Sequence, residues 1–237
     1  MQKGFVRAMT HEHPGAAAPP PAGRTHALHV LTTGRLELDA AASILSIIPA
    51  GMIDMLHIRE KHRSAHELAA WYRRLKPLLP PGAALAVNDR LDAALAVRAD
   101  AVQLTGASLS PAEARELAPP GRMRIGCSVH SPEEAAEAAA GGADYVLYGH
   151  VYETGSKPGL APRGLQALAD TVEACPVPVI AIGGIEPALV DEVLSTGAAG
   201  IAVLSSVFGH PDPAGQLRAF RFGLDRTRHK PRKGWTF

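Results

Sequence analysis

The stretch Arg124-Ile-Gly-Cys-Ser-Val-His130-Ser131 ends a short apolar run in small residues and places a histidine just before a new helical pattern. Residues 123–127 are predicted to form a strand. Ser131-Pro132-Glu133-Glu134 is typical of a helix start, because serine caps a helix and proline suits its first turn. His130 therefore lies on a short connection between strand and helix, where a side chain can face a site instead of a core.

The same alternation of strand and helix repeats along the chain on both sides of this stretch. The predicted strands are residues 27–31, 53–58, 84–87, 101–104, 123–127, 145–148, 179–182 and 200–204. The predicted helices are residues 36–48, 65–75, 91–97, 111–117, 131–140, 165–173, 187–195 and 214–224. Ser64 with Glu67, and Ser110 with Glu113, have the spacing of capping boxes.

The strands are apolar at consecutive positions, which is expected when both faces of a parallel sheet are buried. Eight βα units in about 200 residues predict an α/β protein with a single-domain (β/α)8 TIM barrel. A doubly wound open sheet is the alternative. It needs fewer strands and usually has a glycine-rich turn after the first one, which Thr32-Thr33-Gly34-Arg35 is not.

The composition sets limits on partners and location. The 237 residues are 46% hydrophobic and 20% charged, as in a soluble globular protein, and the net charge of +1 gives no reason to expect nucleic acid. No apolar run approaches the roughly 20 residues that span a bilayer, so no membrane partner is predicted. Cys127 and Cys175 fall in or beside predicted strands, which indicates buried thiols in a reducing, cytoplasmic compartment.

Three segments are predicted. Residues 1–24 contain an alanine- and proline-rich tract and form a flexible N-terminal extension, with Met9 as an alternative start. Residues 25–224 form the barrel domain, and residues 225–237 form a basic, solvated C-terminal tail.

Active sites of such barrels lie at the carboxyl ends of the strands, and phosphate usually binds after strands seven and eight. Gly183 and Gly184 follow the seventh predicted strand, and Ser205 and Ser206 follow the eighth. These loops offer backbone N–H groups and hydroxyls, so they predict a phosphate site. The alternative is that the two glycines only permit a tight turn.

Two cations alternate at the end of the second predicted strand. Arg59 and Lys61 can both point into the barrel mouth while the residues between and before them point away. They favour an anionic substrate group. The alternative is an ion pair between either cation and Asp89, which follows the third strand.

Several motifs together resemble one known family, over nearly all of residues 28–222. The motifs are His57-Ile-Arg-Glu-Lys61, Val87-Asn-Asp89, Gly126-Cys-Ser-Val-His-Ser131, Ala143-Asp-Tyr-Val-Leu-Tyr-Gly-His-Val-Tyr-Glu-Thr154, Lys157 and Ile182-Gly-Gly184. They resemble the thiamine phosphate synthase superfamily of TIM barrels. The combination is specific, although each piece alone is not.

The superfamily has two branches, and departures from the synthase pattern favour the second. Synthases use magnesium to bind a pyrimidine pyrophosphate and carry an aspartate in the loop after strand four, where this chain has Ser108. Their strand-two glutamine is His57 here, and their Gly-Pro after strand six is Gly149-His150. The resemblance therefore implies the thiazole tautomerase (TenI) branch, an isomerase without metal or cofactor.

That branch aromatises a thiazole carboxylate phosphate by moving a proton from ring C2 to the exocyclic carbon. The resemblance implies that His130 carries the proton. It also implies a homodimer. The predicted substrate-binding residues are Arg59, Lys61, Asn88, Lys157, Gly183, Gly184, Ser205 and Ser206.

Alternatives remain open at this point. His130 could only cap the next helix, and His57 or His150 could assist it, while His150 could equally pack under its loop. The whole protein could instead be a thiamine phosphate synthase, or a non-catalytic regulator that binds thiazole phosphate or thiamine phosphate.

Overall fold

Eight parallel strands form a closed barrel in the computed structural model, which describes residues 24–235. Each strand pairs with the next, and the last pairs with the first. The predicted TIM barrel is therefore confirmed, and the open sheet is excluded. The predicted extension lies outside the described residues, apart from Arg24. The strands are β1 (Ala27–Leu31), β2 (Met55–Ile58), β3 (Ala84–Asn88), β4 (Ala101–Leu104), β5 (Arg124–Val129), β6 (Tyr145–Gly149), β7 (Val179–Ile182) and β8 (Gly200–Val203).

Helices follow the strands as predicted, with one addition. Both capping boxes form, and the Ser131 side chain accepts a hydrogen bond from the Glu134 N–H at 3.2 Å. The helix missed from the sequence, α8, is only four residues long, too short to show a helical period. The helices are α1 (Leu38–Ser46), α2 (Ala65–Leu75), α3 (Leu91–Val97), α4 (Pro111–Leu117), α5 (Pro132–Ala140), α6 (Gly164–Ala174), α7 (Val190–Leu194), α8 (Ser205–Phe208) and α9 (Pro213–Arg226), with short 3-10 turns at Lys76–Leu78 and Pro187–Leu189.

Packing inside the barrel explains why residue 126 is a glycine. Tyr145 on β6 is fully buried inside the barrel, and its hydroxyl donates to Met55 Sδ at 3.3 Å. A Cβ at Gly126 on the neighbouring strand would overlap the Tyr145 ring and the Gln103 side chain. Gly126 is therefore needed for the packing of Tyr145 across β5 and β6.

A buried ion pair ties the last helix to the lower, amino-terminal end of the barrel. Arg221 of α9 is 3% exposed, and its Nη1 donates to Asp54 Oδ2 at 2.9 Å. Its Nη2 donates to the carbonyl of His26 at 2.8 Å, and Asp54 also accepts the Leu28 N–H at 2.7 Å. The pair is hydrogen-bonded on both sides, as a buried charge requires.

The C-terminal tail crosses the lower end of the barrel. Helix α9 runs to Arg226, two residues past the predicted end of the barrel domain. Farther along, the Arg232 N–H donates to the Gly197 carbonyl at 2.9 Å. The Trp235 ring packs edge-on to His29 and Tyr145, with centroids 4.6 and 5.2 Å apart. The basic side chains of the tail are largely exposed, whereas Trp235 contacts the barrel interior.

Two further features bear on the sequence predictions. Cys127 and Cys175 are both buried and free, as predicted. Within residues 24–235, the helices are all too short or too polar to cross a membrane.

Candidate active site

A cavity of about 760 Å³ opens at the carboxyl end of the barrel. This volume lies within the range of small-molecule sites in proteins. The structure brings all nine predicted site residues to this cavity, although they come from six different loops or strand ends. They are Arg59, Lys61, Asn88, His130, Lys157, Gly183, Gly184, Ser205 and Ser206.

Cations from two loops converge on the cavity. Arg59 and Lys61 follow β2, and Lys157 lies in the loop between β6 and α6. The pKa of Lys157 is lowered, first by burial and then by the positive charges of Arg163, Lys61 and Arg59. An anionic ligand would relieve the repulsion among these cations, so the charge of the cavity favours binding of an anion.

Asp89 is a site residue that the sequence prediction left out. It follows Asn88 at the end of β3 and has a left-handed φ of 64°. Its Oδ1 accepts hydrogen bonds from Thr105 Oγ at 2.5 Å and Ser108 Oγ at 3.2 Å. In the described part of the chain, Asp89 thus pairs with hydroxyls and not with Arg59 or Lys61. Its position directly after a strand end was the signal available in the sequence.

The His130 ring lies between the carboxylate of Glu134 and the ammonium group of Lys157. The His130 N–H donates to Glu134 Oε2 at 2.7 Å, and Nδ1 of its ring lies 3.2 Å from the same oxygen. Its Nε2 lies 3.1 Å from Lys157 Nζ. An ammonium group can only donate, so Nε2 accepts and Nδ1 carries the hydrogen that points to Glu134.

The charge state of His130 follows from its surroundings. Burial, and then the positive charge of Lys157, lower the pKa of His130 below its ordinary value. The ring is therefore neutral at pH 7. Ser131 supplies the cap of α5, so capping is not the role of His130.

The glycines after β7 line the cavity beside the loop between β6 and α6. Gly183 and Gly184 have φ values of 106° and 67°. A Cβ at Gly183 would overlap the Cβ of His150, and one at Gly184 would overlap the Glu153 carbonyl. The glycines allow a close approach between two loops, and they also line the cavity beside Ser205. The phosphate site predicted at these loops stays a prediction.

The two other histidines have separate positions. His150 is 5% exposed, lines the cavity and places Nε2 3.2 Å from the Leu160 carbonyl, so it packs under its own loop. His57 is fully buried, and its Nε2 lies 3.0 Å from His29 Nδ1. His57 is not among the residues that line the cavity.

Comparisons with known proteins agree on one family. A family model described as thiamine monophosphate synthase matches residues 28–207. A thiamine-phosphate synthase of Chlorobium phaeovibrioides is 46% identical over 69% of this chain and 78% of its own. One of Methanoculleus marisnigri is 40% identical over 79% of this chain and 88% of its own. A solved structure of thiamine phosphate pyrophosphorylase from Pyrococcus furiosus is 34% identical with a TM-score of 0.70, and the match covers 84% and 95% of the two chains.

Proposed function

Because this chain belongs to the thiamine monophosphate synthase family, we propose that it is a transferase that joins a pyrimidine pyrophosphate to a thiazole phosphate and releases pyrophosphate. The observation that carries the proposal is the identity of 40 to 46% with thiamine-phosphate synthases over most of the barrel. The homodimer and the cytoplasmic location expected from the sequence remain predictions.

The prediction of a thiazole tautomerase, and with it of an isomerase, is contradicted by these relatives, which are named as synthases. That prediction interpreted Ser108, His57 and His150 as the loss of a pyrophosphate site. The cavity nevertheless keeps Asp89 and the cluster of cations, which are the groups that such a site needs.

Two anion-binding regions in one cavity suit two phosphate-bearing substrates. Arg59, Lys61 and Lys157 supply positive charge, while the Gly183 and Ser205 loops supply N–H and hydroxyl donors. We assign the pyrophosphate to the cations and the single phosphate to the loops. Negative charge grows on pyrophosphate as it leaves, and preorganised cations stabilise that change.

His130 receives a new role in this reaction. The proton transfer predicted for it belonged to the isomerase and is not carried forward. Its Nε2 holds the Lys157 ammonium at 3.1 Å, while Glu134 fixes the ring from the other side. We propose His130 as a positioning residue that aims Lys157 at the leaving group.

Magnesium, which the resemblance implies for synthases, fits this donor set only together with substrate. No group of three or more His, Cys, Asp or Glu side chains suited to a metal occurs within residues 24–235. Mg²⁺ is commonly held by one or two carboxylates plus substrate phosphates. Asp89 would supply the carboxylate, and the ion would neutralise charge on the leaving pyrophosphate. The prediction that no metal is needed is not part of this proposal.

Ser108→Asp is expected to lower the Mg²⁺ concentration for half-maximal activity about tenfold. Ser108 Oγ lies 3.2 Å from Asp89 Oδ1, so a second carboxylate there would face the same ion. One added negative charge about 4 Å from a divalent cation contributes on the order of 2 kcal/mol even in water. Calorimetric titration with Mg²⁺ in the presence of pyrophosphate gives a second readout. Ser108→Asn is the uncharged control, and an equal shift in both variants would show that charge is not the cause.

The proposed function is tested by incubating the full-length protein with a pyrimidine pyrophosphate and a thiazole phosphate, with and without Mg²⁺. We expect pyrophosphate and thiamine phosphate to appear in equal amounts, and neither to form when one substrate is left out. Binding of both substrates without any release of pyrophosphate, over a wide range of Mg²⁺ concentrations, would overturn the transferase and favour the regulator.

A further inference from the structure

A row of polar side chains lies inside the barrel beneath the cavity. His29 and His57 are fully buried, and Asn88 is 7% exposed. Nε2 of His29, Nδ1 of His57 and Oδ1 of Asn88 each lack a hydrogen-bond partner. Interiors of such barrels are filled mainly by branched apolar residues, and buried polar atoms without partners are unfavourable. The row therefore calls for a functional account.

Strand register makes this row a diagonal that climbs toward the cavity. Leu31 of β1 is level with His57 of β2, so His29 lies two residues lower on the same inward face. His57 is level with Ala86 of β3, so Asn88 lies two residues higher. Of the three polar residues in the row, only Asn88 lines the cavity. It is the upper end of a chain that starts near Trp235.

The lower link is a hydrogen bond between two neutral rings. His29 Nδ1 and His57 Nε2 are 3.0 Å apart. Burial lowers the pKa of both rings, that of His57 to about 3. A neutral imidazole has one donor and one acceptor, so fixing the hydrogen between these two nitrogens also fixes the other nitrogen of each ring.

The upper link concerns two of the unpartnered atoms, Nδ1 of His57 and Oδ1 of Asn88, which belong to neighbouring strands and lie two residues apart in register. A hydrogen bond between them would satisfy both buried atoms, and the Asn88 side chain acts to raise the pKa of His57 against the effect of burial. A side chain has that effect when it accepts a hydrogen bond from the imidazole. The acceptor of an asparagine is Oδ1, and the remaining nitrogen of His57 is Nδ1.

We propose that the His29–His57 pair sets the orientation of Asn88 at the substrate site. His29 Nδ1–H donates to His57 Nε2, His57 Nδ1–H donates to Asn88 Oδ1, and the Asn88 amide N–H groups are left to face the cavity. His29 and His57 are positioning residues in this scheme. The assignment of the tautomers is independent of the proposed function, whereas the identity of the substrate group that Asn88 meets rests on it.

The opposite orientation disagrees with the charge of the cavity. It would turn Asn88 Oδ1 toward the ligand and add an acceptor where Arg59, Lys61 and Lys157 prepare for an anion. If the amide N–H groups of Asn88 face the cavity, they add hydrogen-bond donors for an anion to the positive charge of the cations.

The Trp235 ring covers the lower end of the polar row, where it packs against His29 with ring centroids 4.6 Å apart.

The tautomers are tested directly by long-range proton–nitrogen NMR on the ¹⁵N-labelled full-length protein, with signals assigned through His29 and His57 variants. We expect both rings to be neutral, with hydrogen on Nδ1, between pH 5 and 8. Hydrogen on Nε2 of His57, or a charged ring in that range, would overturn the proposal.

Two substitutions separate positioning from packing. His57→Asn keeps an N–H near the Nδ1 position, whereas His57→Gln places its amide near the Nε2 position. With inorganic pyrophosphate as the probe, we expect the Kd to rise about tenfold in His57→Gln, the size of one lost hydrogen bond. We expect a rise of less than about threefold in His57→Asn, with equal melting temperatures in the two variants.

Equal losses in both variants, or losses that follow their melting temperatures, would show that His57 is only a packing residue. A protein that binds pyrophosphate in this pattern but releases none from a pyrimidine pyrophosphate would refute the proposed function and leave this inference standing.

Discussion

Lys157→Met is expected to lower kcat/KM for pyrophosphate release by about 10²- to 10³-fold, the usual loss when one preorganised charge-stabilising group is removed. Lys157 lies among Arg163, Lys61 and Arg59, and their repulsion already lowers its pKa. Methionine keeps much of the length of the side chain and removes the charge. Steady-state kinetics with both substrates gives the measurement.

Lys230→Met is the matched control for this prediction. Lys230 is an exposed residue of the C-terminal tail, far from the cavity in sequence, and its substitution is expected to leave kcat/KM within about twofold. If Lys157→Met retained more than about a third of the wild-type value, Lys157 would have no role in stabilising the leaving group.

Gly183→Ala is expected to destabilise the protein by roughly 2–6 kcal/mol, which sums the cost of a strained φ and of overpacking. Gly183 has φ of 106°, and a Cβ there would overlap the Cβ of His150. Relief of the overlap must move one of the two loops, so phosphate affinity is expected to fall as well. Thermal unfolding is expected to show a melting temperature lower by at least about 5 °C.

Gly106→Ala provides the comparison, because no atom lies within 4 Å of a Cβ at that position and its φ is not in the left-handed range. Its stability is expected to change by no more than about 0.5 kcal/mol. A Gly183→Ala protein with the melting temperature and phosphate affinity of the wild type would contradict the close approach of the two loops.

The function predicted from the sequence failed for a physical reason. Ser108 was interpreted as the loss of a metal site, because one carboxylate alone binds Mg²⁺ weakly. That interpretation considered the protein without its substrate, whose phosphate oxygens can complete the coordination. Substitutions within a motif show which groups have changed, but they do not show which groups remain together in space.

The location of the site was accessible from sequence because barrels place their active sites at the carboxyl ends of strands. That rule led from the strand ends to Arg59, Lys157 and Gly183, all of which line the cavity. It did not lead to the hydroxyl pairing of Asp89 with Thr105, which depends on how two adjacent loops fold against each other.

The sequence by itself determined the strands, most of the helices and the helix starts at Ser64, Ser110 and Ser131, because these depend on local periodicity and on caps within four residues. It thereby determined the barrel. Only the tertiary structure decided the contacts between residues far apart along the chain. They include the His29–His57 pair, the packing of Trp235 under the barrel and the contact of His130 with Lys157, where side chains from separate strands and loops meet.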